Sequence, residues 1–353
     1  MANSRDVADE LEALVDEVDA EATARQLYQL RDRNRRLSKE NRDLSATLDA
    51  LSGRVAVLEE LRADPPKVKV KRPRKRAKDA ASFVALFSDW HTHEIVTPSR
   101  SYGNEHNSEI GHERAWECAR GVVALCKREQ QTRSVERLVV WLGGDFLTND
   151  DMHYKSERVV DISPHAEARA SRDLLAQILG YFRAELDVPE IVVPTSVGNH
   201  GRSTQRMVDG QAVDYSFEQD IYLDLESWFA ADPSFRFEVA DAEWYVCDVG
   251  GYRLLFHHGH SIGYGSGLAG LAYPLRKAIA SQSVNLEFET LCIGHYHQMG
   301  IYHGSKAITN GSLVGMNNWG AAKKFAGERP AQAAFVIDHA VQQIANFYWV
   351  WGD

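Results

Sequence analysis

Two spacings of apolar residues divide the chain. Between residues 27 and 61 they return every seventh position. Leu30, Leu37, Leu44, Leu51 and Leu58 fill one seam position of a heptad, and Leu27, Asn34, Asn41, Leu48 and Val55 fill the other. Five leucines in register predict a helix that buries this seam against a second copy of itself. The two asparagines favour a parallel homodimer, in which each amide meets its twin.

From about residue 80 the pattern changes to short apolar runs. FVALFS (83–88), RLVVWLG (137–143), IVVPTSV (191–197), WYVCDV (244–249), YRLLFH (252–257), TLCIG (290–294) and AAFVID (333–338) read as strands. Helical patterns lie between them at 110–129, 163–185, 214–229 and 268–283. Strands separated by helices predict a layered α/β or αββα domain. The expected organisation is a helical segment over 1–62 with its coiled coil at 27–61, a linker over 63–79, and a layered domain over 80–353.

Charge sharpens this division. The net charge is −10, but residues 1–78 carry 18 basic against 15 acidic side chains, leaving 22 against 35 for the rest. Eight of the twelve residues from Lys67 to Lys78 are basic. The linker therefore reads either as a phosphate-binding patch or as a solvated tether. It follows the heptads and contains proline, which excludes the continuous basic helix of a leucine-zipper transcription factor. No apolar run approaches the roughly 18 residues of a membrane span, so no membrane partner is expected. The acidic N-terminus has no signal-peptide pattern. Cys118, Cys126, Cys247 and Cys292 show no metal or disulfide spacing and read as small buried hydrophobes. These features predict a cytoplasmic protein.

The polar residues that close the apolar runs share one chemistry. SDWHTHE supplies Asp89 and His91, GGDFLTND supplies Asp145, and SVGNHGR supplies Asn199 and His200. RLLFHHGH supplies His258, and GHYH supplies His295 and His297. Sheet enzymes assemble their sites at the C-terminal ends of strands. Carboxylates, imidazoles and an amide are the donors that two divalent cations take, with one carboxylate shared between them. Each fragment alone is weak; five in order, each capping an apolar run, form a specific pattern.

In that order the fragments resemble the calcineurin-like metallophosphoesterase superfamily, whose pattern runs DxH, GD, GNH(D/E), HGH and GHxH. The chain carries SDWH, GGD, GNHG, HHGH and GHYH, and ITNGSLVG (308–315) is similar to the family's asparagine–glycine–serine turn. The resemblance spans roughly residues 82–340. It implies an αββα sandwich with two divalent ions, manganese first and iron, zinc or nickel as alternatives. By motif, Asp89, His91 and His297 would hold one ion, Asp145 would bridge, and Asn199, His258 and His295 would complete the second site. His200 would be the general acid in hydrolysis of a phosphate ester by a metal-bound hydroxide. Two departures stand out. Gly201 replaces the acid expected after GNH, so His200 must be oriented from elsewhere. Thr148 stands where purple acid phosphatases have tyrosine, which argues against a ferric–tyrosinate centre.

Around this set, Arg202 and His260 are candidate substrate contacts, while His257 reads as a packed histidine. His106, His153, His165 and His303 read as surface residues. The motif order and NWGAAKKF look most similar to phage-encoded members and SbcD-type nucleases, which would place the chain in a host cytoplasm. The dimer and basic linker suit a long polyanion, so the expected activity is a nuclease acting on DNA and the expected partner is nucleic acid. A phosphatase of nucleotides or phosphoproteins is the alternative that the acidic body favours. A non-enzymatic coiled-coil scaffold retaining the fold is a third, opposed by the complete set of ligand positions.

Overall fold

All eight residues of strand β1, Ala80–Phe87, are buried, because its two faces serve two different cores. The computed structural model describes residues 79–153, 159–160, 162–208, 210–265, 270–324 and 327–352, together with Arg33, Arg36, Leu37 and Lys39. Those four are helical and exposed. The rest of the expected coiled coil (27–61), and the basic linker up to residue 78, lie outside the described residues. The chain divides into two compact units, Met1–Pro65 and Pro66–Asp353, and both sheets belong to the second.

After β1 come α1 (Ser108–Glu129), β2 (Ser134–Leu142), α2 (Pro164–Glu185), β3 (Glu190–Pro194), α3 (Phe217–Phe229) and β4 (Phe235–Glu238). Then follow β5 (Trp244–Val249), β6 (Tyr252–His257), α4 (Ala272–Gln282), β7 (Thr290–Ile293), β8 (Gly300–Tyr302), β9 (Ala307–Thr309), β10 (Ala331–Asp338) and β11 (Gln343–Trp351). One sheet has the order β11-β10-β1-β2-β3-β4 and the other β5-β6-β7-β9-β8. Strands β1 to β4 are mutually parallel, and β6, β7 and β9 are parallel in the second sheet. Helices α1 to α3 begin where polar caps satisfy their first N–H groups. Asn107 accepts from Glu109 N and Ile110 N, Ser163 caps α2 ahead of Pro164, and Ser216 caps α3.

The two-residue period of the strands builds the layers. Phe83, Ala85 and Phe87 join Leu138 and Val140 against Val122, Ile178, Phe182 and Tyr222 of the helices. On the opposite face Val84, Leu86, Val139 and Trp141 meet Leu254, Phe256, Cys292 and Ile308 of the second sheet. Trp141 stacks on Phe256 at 5.3 Å across this inter-sheet core. Leu255, Leu291 and Ile293 then face Leu275 of α4 on the outer side. The order of layers is helix, sheet, sheet, helix, as the alternation of strand and helix patterns predicts. All four cysteines are buried and free. Among the described residues no helix is long and apolar enough to cross a membrane.

Four further strands, β4, β8, β9 and β11, fall outside the apolar runs. β8 and β9 have three residues each, too few to show a period. β11 is an edge strand that alternates exposed Trp349 and Trp351 with covered neighbours, so its signal is diluted by polar positions.

Candidate metal centre

Parallel pairing sets the C-terminal ends of β1, β2 and β3 side by side, and those of β6 and β7 likewise. The turns beyond them are then tied together. Asp89 N donates to Gly144 O at 2.9 Å, His91 N to Asp145 O at 3.0 Å, and Gly294 N to His258 O at 2.9 Å. His295 N donates to Asp89 Oδ1 at 2.8 Å, which joins the two sheets at the site. The turn at Asn310–Ser312 clamps the same place from behind. Ser312 Oγ donates to Asp89 O at 2.7 Å, and Asn310 Nδ2 donates to Ser88 Oγ at 2.9 Å. Gly198 and Gly294 have no room for a side chain, because a Cβ there would collide with the carboxylates of Asp145 and Asp89.

This packing holds the backbone in costly conformations. Asp89, His91, Asp145, His295 and His297 all have positive φ, between 40° and 68°. Non-glycine residues visit that region at a cost of order 1–3 kcal/mol each, and such strain concentrates at functional sites.

Three groups of side chains offer ligand atoms within 4.8 Å of one another: Asp89, His91 and His297; His91, Asp145 and His200; Asp145, His258 and His295. They overlap through His91 and Asp145. Asp145 is fixed by its Oδ1, which accepts from His200 N at 2.7 Å. Its Oδ2 lies 3.0 Å from His258 Nε2 and 4.0 Å from His91 Nε2, so one oxygen faces both ends of the cluster. His297 Nε2 lies 3.4 Å from Asp89 Oδ1.

The protonation pattern tests whether cations fit. His258 Nδ1 donates to Gly143 O at 2.7 Å, which turns the Nε2 lone pair of a neutral imidazole toward the Asp145 carboxylate. Two acceptors at that distance need a positive charge. Burial opposes charging His258, yet the Asp145 carboxylate raises its pKa to about 10. Burial would likewise raise the pKa of Asp145, but the charges on His258 and His200 hold it well below the usual carboxylate range. Burial keeps His91 and His295 neutral, with pKa values well below the ordinary imidazole value. His91 Nδ1 is buried without a hydrogen-bond partner. Neutral His91 and His295 beside ionised Asp145 are donors that a divalent cation takes, and at His258 Nε2 an ion would stand in for the proton that Asp145 otherwise holds there. A separation of about 3 Å is what two donors on one ion take at bond lengths near 2.1 Å. The residues fit the ions.

Orientation of His200 comes from residues that sequence motifs do not mark. Its Nδ1 donates to the carbonyl of Thr148 at 2.6 Å, leaving Nε2 for the cluster, and its ring meets that of His91 at 4.7 Å. The space beside Gly201 belongs to Glu218 of α3: a Cβ on Gly201 would lie 2.7 Å from the Glu218 carboxylate. That carboxylate accepts from Gly198 N at 2.7 Å and Phe146 N at 2.9 Å, pinning the GNH and GD turns to each other. Glu167 does the same for Thr148 N and Asn149 N, each at 2.9 Å. Burial raises the pKa of Glu218 to about 8 and that of Glu167 to about 7. In the sequence Glu218 reads as an ordinary first-turn acid two residues after the Ser216 cap. Only the tertiary fold shows that it points inward.

Asn199 follows Gly198 directly, and its carbonyl accepts from Arg202 Nη1 at 2.6 Å. The Arg202 guanidinium also donates to Thr204 O and Met152 O, so it braces the loop. His260 Nε2 lies 3.4 Å from Glu243 Oε2. Neither residue is part of the wall of the site cavity. His257 is buried and accepts from Gly259 N through Nδ1, a packing role as expected. His106 departs from its surface reading. It is buried, receives Arg114 Nη1 at Nδ1, and donates from Nε2 to His91 O at 3.2 Å, bracing the turn from outside. The side chain of His153 lies outside the described residues.

A cavity of about 440 Å³ opens over the cluster, walled by His91, Asp145, His200, His295 and His297. Glu94 also lines it; it is buried, accepts from Asn317 Nδ2 at 3.0 Å, and burial raises its pKa to about 7.

No protein-family model matches the chain. No curated protein matches it either. Among solved structures it is similar to a predicted phosphoesterase from Streptococcus pneumoniae TIGR4, at 11% identity and a TM-score of 0.30, over 76% of this chain and 98% of that one. It is similar to Vps29 of Entamoeba histolytica in complex with zinc, at 11% identity and a TM-score of 0.31, over 76% and 99% of the two chains. A hypothetical protein from Pyrococcus horikoshii OT3 aligns at 11% identity and a TM-score of 0.34, over 77% and 89%.

Proposed function

We propose that the layered domain is a dinuclear metal-dependent phosphodiesterase of the calcineurin-like type, acting on DNA. The observation that carries this reading is Asp145 Oδ2, anchored by its partner oxygen and facing both His258 Nε2 and His91 Nε2. Asp89, His91 and His297 would hold one ion; His258, His295 and the Asn199 amide would hold the other, with Asp145 shared. The donor set suits manganese, and equally iron, zinc or nickel. When bound, the ions supply Lewis-acid polarisation of the phosphoryl oxygens and a water of lowered pKa.

The chain's own residues do the rest. His200 keeps its Nδ1 proton on the Thr148 carbonyl and, when protonated at Nε2, gives that proton to the leaving oxygen. Burial lowers the pKa of His200, so its imidazolium is a stronger acid than a free one and a smaller share of it is present at neutral pH. The geometry also admits His200 as a ligand beside His91 and Asp145, and the proton role is favoured because the other positions would fill both sites without it. A scaffold that only retains the fold would be expected to have lost ligands, whereas every motif position of this sequence holds a residue able to ligate.

The preference for DNA rests on the basic run from Lys67 to Lys78 and on the dimer that the heptads predict. Its test is hydrolysis by the manganese-loaded protein of labelled single- and double-stranded DNA beside a panel of nucleotide mono-esters. The chain beginning at Asp79 runs in parallel. DNA is cleaved, and cleavage weakens roughly tenfold or more at low salt without residues 1–78, as lost phosphate contacts require. Activity confined to mono-esters and indifferent to the truncation would make the protein a phosphatase.

A further inference from the structure

The wall of the cavity carries a feature that phosphate hydrolysis does not use. Tyr296 sits between the two histidines of GHYH, and its ring lies 4.9 Å from that of His295. Tyr264, from the segment after β6, continues the row, with ring centroids 5.7 Å apart and planes inclined by 43°. Trp319, from the helical turn Asn318–Ala322, lines the same cavity. Tyr264 is 51% exposed and Trp319 52%, so both present aromatic surface to solvent. The described lining has no lysine or arginine, whereas Glu94 and Glu328 both contribute to it. Such a wall presents aromatic surface to a neutral ring and, among the described residues, no cationic side chain to a dianionic terminal phosphate.

We propose that Tyr264, Tyr296 and Trp319 form a stacking subsite for a nucleobase adjoining the scissile phosphodiester. This rests on the phosphodiesterase reading and narrows its substrate to nucleotide diesters whose neighbouring base is unpaired. A base within a duplex has both faces occupied and must leave the stack before it can lie on an aromatic side chain. Stacking on one aromatic residue is worth about 1–3 kcal/mol per base, roughly 5- to 150-fold in binding, and tolerates any sequence.

The test compares two diesters with the same leaving group, thymidine 5′-(p-nitrophenyl phosphate) and methyl p-nitrophenyl phosphate, using the full chain loaded with manganese. The base-bearing ester is preferred in kcat/KM by tenfold or more. That preference ratio falls toward one in Tyr264→Ala and in Trp319→Ala. Anisotropy of a labelled oligo(dT) gives a second reading that needs no turnover, and its affinity falls at least fivefold in the same variants. A wild-type ratio near one, or a ratio and an oligo(dT) affinity that both variants leave unchanged, overturns the subsite. Turnover of neither ester, with oligo(dT) binding still weakened by both substitutions, would instead overturn the phosphodiesterase reading and leave the stacking surface standing.

Discussion

Replacing Asp145 by asparagine lowers diester hydrolysis by about a thousandfold or more, roughly 4 kcal/mol of barrier. The two oxygens of this carboxylate have separate duties. Oδ1 accepts from His200 N, a bond that the amide oxygen of asparagine can keep, so the turn holds its shape. Oδ2 faces His258 Nε2 and His91 Nε2, and there the substitution puts either a neutral atom or an N–H in place of the shared anion. Steady-state kinetics on bis(p-nitrophenyl) phosphate, beside circular dichroism to verify folding, measure the effect. A correctly folded variant with an unchanged rate would mean that Asp145 is not the shared ligand.

Glu218→Ala destabilises the domain by about 2–5 kcal/mol, because it orphans the buried N–H groups of Gly198 and Phe146 and leaves a void beside Gly201. Both turns carry site residues, so activity falls with stability. The pH dependence separates charge from packing. Burial lifts the pKa of Glu218 to about 8 in the folded protein, above its ordinary 4.5. In the metal-free protein the folded state therefore holds a proton that the unfolded state releases. The stabilisation from that proton is complete below about 4.5 and is lost as pH rises through 8. Denaturant unfolding between pH 5 and 8 shows this decline in the wild type. Glu218→Gln cannot titrate and flattens the slope, although its baseline is lower because an amide nitrogen cannot accept from a backbone N–H. An equal slope in wild type and Glu218→Gln would remove Glu218 as its source.

The site was legible wherever function forces a residue type onto the end of an apolar run. Asp89, His91, Asp145, His258, His295 and His297 stand out because acids and imidazoles at strand tips are expensive without a ligand, and the fold brings all six into overlapping groups. Glu218 and Glu167 were not legible. Each sits in the first turn of a helix, where acids are ordinary, and the backbone N–H groups they satisfy are many positions away in sequence. Arg202 shows the opposite limit. Two residues from His200 it looks like a phosphate clamp; in the fold its guanidinium donates to the carbonyls of Asn199, Thr204 and Met152, and chain proximity says nothing of where a long side chain turns. In the fold, strands buried on both faces were plain from their continuous apolar runs. The edge strand β11 and the three-residue β8 and β9 were not, since half-exposed or very short strands carry little periodic signal.

Everything proposed for the site depends on cations at the Asp89–Asp145–His258 cluster. Equilibrium dialysis of the full chain against manganese, with elemental analysis of the protein, measures their number directly. Two ions bind per chain, with diester hydrolysis appearing as they bind and vanishing on chelation. One ion or none, with hydrolysis indifferent to the chelator, would contradict the two-ion site.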